Sequence, residues 1–167
     1  CERFRHDRVL RAGESFTVGA RTWSADAAPG HDPHSLILFD ARDGVLISAD
    51  ALWANGFGVV FPELDGEGAF DDVAAVLDEI ERMAPRLVIP GHGAPFRGKA
   101  KIDHFEAYLR DFRAQAEALH KAKVPAQDAA AKIDLRKHAV NYPALTTPGV
   151  LWHGVARVYE ELDGTAR

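Results

Sequence analysis

Residues 28–50 read Ala-Pro-Gly-His-Asp-Pro-His-Ser-Leu-Ile-Leu-Phe-Asp-Ala-Arg-Asp-Gly-Val-Leu-Ile-Ser-Ala-Asp, and this stretch decides the fold. Two apolar runs, at 35–39 and 45–48, flank an Asp-Gly pair. This pattern is typical of a β-hairpin, because glycine accepts a positive φ without steric cost. His31 precedes the first strand and Asp50 follows the second, so antiparallel pairing would place both at the same end of the hairpin. That geometry suits two ligands of one metal centre.

A third strand end carries another histidine. Residues 86–95 read Arg-Leu-Val-Ile-Pro-Gly-His-Gly-Ala-Pro, which predicts a short buried strand that ends in a loop with His92. Cys1 is the only cysteine, so a thiolate-rich zinc site is excluded. Any metal must therefore be held by imidazole and carboxylate groups, which are also common zinc ligands.

Three short motifs carry a resemblance to a known family. In order and approximate spacing, the chain resembles the metallo-β-lactamase superfamily at Pro29-Gly30-His31, Ser48-Ala49-Asp50 and Gly91-His92-Gly93. The resemblance implies an α/β fold: half of an αββα sandwich, with a mixed or antiparallel sheet followed by C-terminal helices. It also implies two zinc ions, with His31 on one ion, His92 on the other, and Asp50 bridging both as the catalytic carboxylate.

The family's upstream His-x-His-x-Asp-His motif is absent from the thirty residues before His31. We therefore expect the chain to correspond to the C-terminal half of the family's fold. We expect residues 1–167 to form a single domain, with the sheet and one helix in 1–100 and a helical elaboration in 101–167.

Apolar periodicity predicts the remaining elements. Alternation broken by glycine indicates short strands at 15–18 and 22–25. Apolar residues at three- and four-residue spacing predict a helix at 71–83 and a longer one at 101–121. Two further helices and one loop are predicted: a short helix within 125–133, a last helix from Thr147-Pro148 to about Gly164, and a loop over 51–62.

Aromatic residues follow Asp50 closely. Trp53 and Phe57 lie where a substrate pocket is expected, because pockets are lined by aromatic and aliphatic side chains. The alternative, that these aromatics close the core, stays open. His34 is interpreted as a pocket or surface histidine rather than a metal ligand, although it could also be a hydrogen-bond partner of a ligand.

Composition bounds the class of protein. The 167 residues carry a formal net charge of −5 without a basic cluster, which argues against a nucleic-acid partner. No apolar run approaches the roughly 20 residues that span a bilayer, which argues against a membrane partner. No signal segment is visible, and we expect a cytoplasmic location.

Two functions follow as hypotheses. The first is the C-terminal half of a metal-dependent hydrolase, acting on a small-molecule ester, thioester, lactone or lactam through a hydroxide shared by two metal ions. Each ion would take one histidine and a shared carboxylate from this chain, whereas a catalytic zinc ion usually has three protein ligands. We therefore expect the chain alone to bind metal weakly or not at all and to be inactive.

The second hypothesis is a non-catalytic half-fold module that pairs with itself or with another chain. Without an upstream half, one apolar face of the sheet would be uncovered, and such patches mark partner surfaces. A homo-oligomer, or pairing with a missing N-terminal half, is the expectation. A serine-based triad is disfavoured because no Gly-x-Ser-x-Gly motif is present.

Overall fold

A five-stranded mixed sheet organises the structure, a computed structural model that describes residues 6–55, 70–149 and 152–165. The first four strands pair antiparallel in chain order, and the fifth pairs parallel with the fourth. Both hairpin strands and the strand before His92 are thus confirmed, which also confirms the predicted fold class. The strands are β1 (Ser15–Val18), β2 (Arg21–Ala27), β3 (Leu36–Asp40), β4 (Val45–Trp53) and β5 (Leu87–His92).

Four α-helices accompany the sheet in the described part of the chain. A parallel strand pair needs a long crossover connection, and the helix between β4 and β5 lies in it. The predicted helices at 71–83 and 101–121 are confirmed to within one residue. The helices are α1 (Phe70–Met83), α2 (Ala100–Lys121), α3 (Ala126–Ala130) and α4 (Trp152–Asp163), with a 3-10 turn at Arg136–His138.

Two predicted element boundaries are wrong. The last helix does not begin at Thr147-Pro148, because these residues lie in a bend where the Gly149 amide donates to the Ile133 carbonyl at 2.8 Å. The loop predicted from residue 51 begins later, because β4 continues to Trp53 in register with His92 of β5. The remainder of that predicted loop, residues 56–62, lies outside the described residues.

One face of the sheet forms the core with the helices. Its strand residues Ile37, Leu46 and Val88 are 0–1% exposed, and they belong to one hydrophobic cluster with residues of α1 and α2. These residues alternate along their strands with side chains that point the other way. Along β3, β4 and β5, this face of the sheet is therefore covered by helices.

The opposite face is also apolar. The register places Leu38, Ile47 and Ile89 in one row across β3, β4 and β5. These side chains are half-buried and lie outside the cluster that the described helices form with the sheet. We call this surface the outer face of the sheet, and it comprises Leu36, Leu38, Val45, Ile47, Leu87 and Ile89.

A polar cluster holds the 3-10 turn on α2. His138 Nε2 lies 3.0 Å from Asp111 Oδ2, and Lys137 Nζ lies 3.0 Å from the other carboxylate oxygen. Burial would raise the pKa of Asp111, but hydrogen bonds from Lys137, Gln115 and His138 together hold it below its ordinary value. His138 thus has a structural partner on α2.

The last helix anchors the start of α1. The Phe70 amide donates to Glu161 Oε1 at 2.9 Å, which satisfies a donor that the first turn of a helix leaves unpaired. Arg157, 3% exposed, brings its Nε to 3.5 Å from the same oxygen. Burial raises the pKa of Glu161 above its ordinary value. The partly buried Glu161 carboxylate therefore links α4 to Phe70, which lies 91 positions earlier in the sequence.

Among the helices of the described ranges, none combines the length and apolar character that a bilayer crossing requires.

Loss of the Glu161 carboxylate should loosen the junction between α1 and α4. Glu161→Ala removes the acceptor of the Phe70 amide, so the free energy of unfolding should fall by about 1–3 kcal/mol in urea denaturation. The matched variant Glu161→Gln keeps an acceptor oxygen and should lose less. Unfolding free energies of Glu161→Ala and wild type that agree within error would contradict this assignment.

The pH dependence of the same pair has a defined sign. The pKa of Glu161 is higher in the folded chain than its ordinary value of 4.5, so the unfolded state loses this proton first as the pH rises. The stability of wild type relative to Glu161→Gln should therefore be greatest below pH 4.5 and should fall as the pH passes through the raised pKa. Urea midpoints measured across that window will check this.

Candidate metal centre

Three elements deliver the predicted ligands to one edge of the sheet. His31 lies in the loop before β3, Asp50 lies near the end of β4, and His92 is the last residue of β5. Because β3 runs antiparallel and β5 parallel to β4, the start of β3 and the ends of β4 and β5 share this edge. The hairpin geometry inferred from the sequence is therefore present.

The carboxylate of Asp50 lies between the two imidazoles. His31 Nε2 is 3.7 Å from Asp50 Oδ2, and His92 Nε2 is 3.2 Å from Asp50 Oδ1. The side chains of His31, Asp50 and His92 are 24%, 39% and 50% exposed, so the site is open to small molecules. Each imidazole thus faces a different oxygen of one carboxylate.

A strained bulge aims Asp50 at the histidines. The β4–β5 register shifts on both sides of Ala49, and Ala49 itself has a φ of 44°. A positive φ is uncommon for a residue with a Cβ, and such strain concentrates at functional sites. A bulge also redirects the side chains that follow it. The neighbourhood of Asp50 therefore departs from a regular strand where the candidate ligand begins.

Two glycines make room for the candidate ligands. A Cβ on Gly91 would collide with Asp50 Oδ1 and would lie 2.8 Å from the Ala49 carbonyl oxygen. Gly30, with a φ of +124°, lies so close to α1 that a Cβ there would be 2.9 Å from the Val73 amide nitrogen. The glycine that precedes each histidine thus allows a close approach that other residues would block.

The residues proposed for a substrate pocket have different surroundings. Trp53 stacks on His92, with ring centroids 3.6 Å apart and an interplanar angle of 18°. His34 is exposed, and its backbone amide donates to Asp32 Oδ1 at 2.8 Å in the loop that carries His31. Phe57 lies outside the described residues. The pocket assignments of Trp53, His34 and Phe57 stay predictions.

The backbone beside His92 is also held by neighbours that the sequence did not indicate. The Ala54 amide donates to the His92 carbonyl at 2.8 Å, and Lys101 Nζ at the start of α2 lies 3.3 Å from the Ala54 carbonyl oxygen. These contacts tie the ends of β4 and β5 to α2. A lysine in the first turn of a helix gives no sequence signal for such a contact.

The donor set fits part of a zinc centre. Imidazole nitrogen and carboxylate oxygen are the right ligand types. Within residues 6–55, 70–149 and 152–165, however, no group of three or more His, Cys, Asp or Glu side chains is placed to hold one ion. The geometry explains this result, because the two histidines face opposite oxygens and each pairs with Asp50 alone. The described residues thus offer two donors for each of two positions.

Comparison with known proteins gives the relationship. Residues 2–92, more than half of the chain, match the profile described as the Metallo-beta-lactamase superfamily. The probable metallo-hydrolase YqjP of Bacillus subtilis (strain 168) is 31% identical over 84 residues, which are 46% of this chain and 26% of that protein.

Solved structures resemble the whole arrangement. A metallo-beta-lactamase family protein of Thermus thermophilus superimposes with a TM-score of 0.68 at 19% identity, covering 96% of this chain and 50% of that one. A beta-lactamase domain protein of Burkholderia ambifaria gives 0.67 at 29% identity, covering 94% and 47%. The chain spans about half the length of these structures and about a quarter of the curated relative.

Adding a methyl group at residue 91 should displace Asp50. In Gly91→Ala the new Cβ must push the carboxylate or the Ala49 carbonyl aside, and overpacking of this kind costs about 1–3 kcal/mol of unfolding free energy. The His92 ring signals should shift in a histidine-labelled NMR spectrum. Gly98→Ala is the matched control, because a Cβ at Gly98 meets nothing within 4 Å. It should cost only backbone strain from its positive φ of +80° and leave the His92 signals unchanged.

Proposed function

The chain belongs to the metallo-beta-lactamase superfamily, and on this premise we propose that it supplies one part of the binuclear metal centre of a hydrolase. In this proposal His31 binds one zinc ion, His92 binds the other, and Asp50 bridges them. The observation that carries the proposal is the Asp50 carboxylate, which presents one oxygen to each imidazole at 3.7 and 3.2 Å. This arrangement would suit a carboxylate that shares its two oxygens between two ions.

The remaining donors come, in this proposal, from residues outside the described ones. A catalytic zinc ion takes three protein ligands and keeps one open position, whereas His31 and Asp50, or His92 and Asp50, provide only two. The length of the solved relatives, about twice that of this chain, leaves room for such a contribution. The chain alone should then bind zinc weakly and lack activity.

The chemistry divides between the metal and the protein. When bound, two zinc ions lower the pKa of water and polarise the oxygen of the group under attack. The residues of this chain would set the geometry of the site. Asp50 would set the spacing between His31 and His92, and the strained bulge at Ala49 and the absent side chain at Gly91 would hold Asp50 in position. The proposed substrate class is a small-molecule ester, thioester, lactone or lactam.

Single substitutions should distinguish the three proposed zinc ligands from nearby side chains that do not bind zinc. In zinc titrations by calorimetry, His31→Ala and His92→Ala should each weaken binding by about 10-fold or more, and Asp50→Ala should weaken it most, since it serves both positions. The matched control is His34→Ala, three residues after His31 and exposed. Zinc should be lost from the wild-type chain on dialysis at neutral pH. Near-stoichiometric retention, or Asp50→Ala binding that equals wild type, would contradict the proposal.

A second candidate function rests on the outer face of the sheet. Its six side chains are large, aliphatic and only half-buried, and they lie on adjacent strands rather than singly. A contiguous, partly exposed apolar surface of this kind favours a partner site. We propose, as the alternative, that the chain acts as a half-fold module whose outer face pairs with a second copy or with another chain.

A charge on the outer face should test this alternative. Ile47 lies in the central row of the face, so Ile47→Glu should shift the molar mass in size-exclusion chromatography with light scattering towards the monomer. Val140→Glu is the control, because Val140 is 85% exposed on the helical side of the chain. A wild-type chain that is monomeric at all accessible concentrations would count against self-pairing.

A further inference from the structure

We propose that Trp53 is a positioning residue of the candidate metal centre, holding the His92 ring and the Asp50 backbone in a fixed relation. The use of this geometry rests on the proposed function, whereas the contacts themselves do not. One indole touches both residues by different groups: its ring face meets the imidazole, and its N–H meets a backbone carbonyl. Few side chains combine a large flat face with a single directed donor.

The stacking contact restrains the plane of the imidazole. The Trp53 and His92 rings are nearly parallel, at 18°, with centroids 3.6 Å apart. A flat neighbour at this distance resists rotation of the ring about its bond to Cβ, because the ring edge would then enter the indole. The contact uses the face of the imidazole and leaves its nitrogens at the edge, where Nε2 faces Asp50 Oδ1 at 3.2 Å.

The hydrogen bond restrains the bulge. Trp53 Nε1 donates to the backbone carbonyl of Asp50 at 3.2 Å. That carbonyl follows Ala49, whose φ of 44° makes this part of β4 strained. A strained segment persists only where its surroundings determine it, and the indole N–H provides one such contact. The same ring thus acts on His92 by its face and on Asp50 by its edge.

The indole is itself held in place from behind. Trp53 packs against the hydrophobic cluster of the core, and its backbone pairs in register with His92. Ala54, the next residue, is held by a hydrogen bond that its backbone amide donates to the His92 carbonyl. Trp53 therefore lies between the core and the imidazole.

Two substitutions separate the contributions of the indole. Trp53→Phe keeps an aromatic face for His92 but removes the N–H, whereas Trp53→Leu removes both and keeps an apolar side chain against the core. The matched control is Trp152→Leu, because Trp152 on α4 also lies against a histidine, His153, with ring centroids 4.1 Å apart. Urea denaturation of each variant establishes that the chain remains folded.

The first readout needs no metal. In a histidine-labelled NMR spectrum, the indole ring current should move the His92 ring protons upfield, and Trp53→Leu should abolish this shift. Trp53→Phe should retain part of it, and Trp152→Leu should leave the His92 signals unchanged. Folded Trp53→Leu protein in which the His92 ring signals keep their wild-type positions would overturn the proposal.

The second readout uses zinc as the probe. Partners that orient a metal ligand are worth about 10–100-fold in metal affinity, so Trp53→Leu should weaken zinc binding by at least about 10-fold and Trp53→Phe by less. In a His92→Ala background, Trp53→Leu should cost clearly less affinity, because the ring that it orients is gone and only its contact with the Asp50 carbonyl is lost. An equal loss of affinity in both backgrounds would overturn positioning through His92.

The two proposals fail differently. If His31→Ala, Asp50→Ala and His92→Ala bind zinc as the wild-type chain does although Trp53→Leu releases the His92 ring, the ligand assignment fails while the positioning of His92 is supported. If His31, Asp50 and His92 are needed for zinc and Trp53→Leu binds it as wild type does, the ligand assignment stands and the positioning role is overturned.

Discussion

The candidate metal centre depends on one arrangement, in which the Asp50 carboxylate lies between the imidazoles of His31 and His92. His31 comes from the loop before β3 and His92 from the end of β5, and each faces a different oxygen of the carboxylate. This arrangement requires Asp50 to leave the regular path of β4, which it does after the bulge at Ala49. It also requires that residue 91 have no side chain, because a Cβ there would collide with the carboxylate oxygen. The bulge at Ala49 and the absence of a side chain at Gly91 are thus both linked to the position of the Asp50 carboxylate.

The rest of the fold holds this edge in place. β4 and β5 are parallel, so their C-terminal ends lie side by side. This requires the connection that contains α1 to cross back to the opposite end of the sheet before β5 begins. That helix packs so closely on the loop of His31 that Gly30 has no room for a Cβ. Its own first turn is fixed by Glu161 from the last helix. A contact made by the last helix therefore bears on the position of His31.

Local pattern predicted the elements, and chain order predicted the convergence of the ligands. The Asp-Gly turn between apolar runs and the spacing of apolar residues in α1 and α2 are short-range signals, and both indicated the correct structures. The three tripeptides were enough to place His31, Asp50 and His92 at one edge. The turn and the helices depend on residues that are neighbours in sequence, whereas the placement of His92 beside Asp50 followed from the family resemblance.

The features that the sequence did not predict depend on contacts between distant segments. The continuation of β4 to Trp53 comes from pairing with β5, and no pattern within residues 51–53 signals it. The late start of α4 comes from the bend that Gly149 makes towards Ile133. The stacking of Trp53 on His92 likewise needs the register of two strands. Each of these depends on tertiary structure rather than on propensity.

The incomplete donor set and the outer face of the sheet can have one common explanation in the proposed function. A single further layer of structure on Leu38, Ile47 and Ile89 would remove apolar surface from water, worth about 25 cal/mol for each Å² buried. If that layer also carried the missing zinc ligands, metal binding and the docking of the layer would stabilise each other, because a ligand that binds only the assembled state adds its binding free energy to assembly. Metal occupancy would then increase with assembly. The chain alone would bind zinc weakly because the docked layer that supplies the other ligands would be absent.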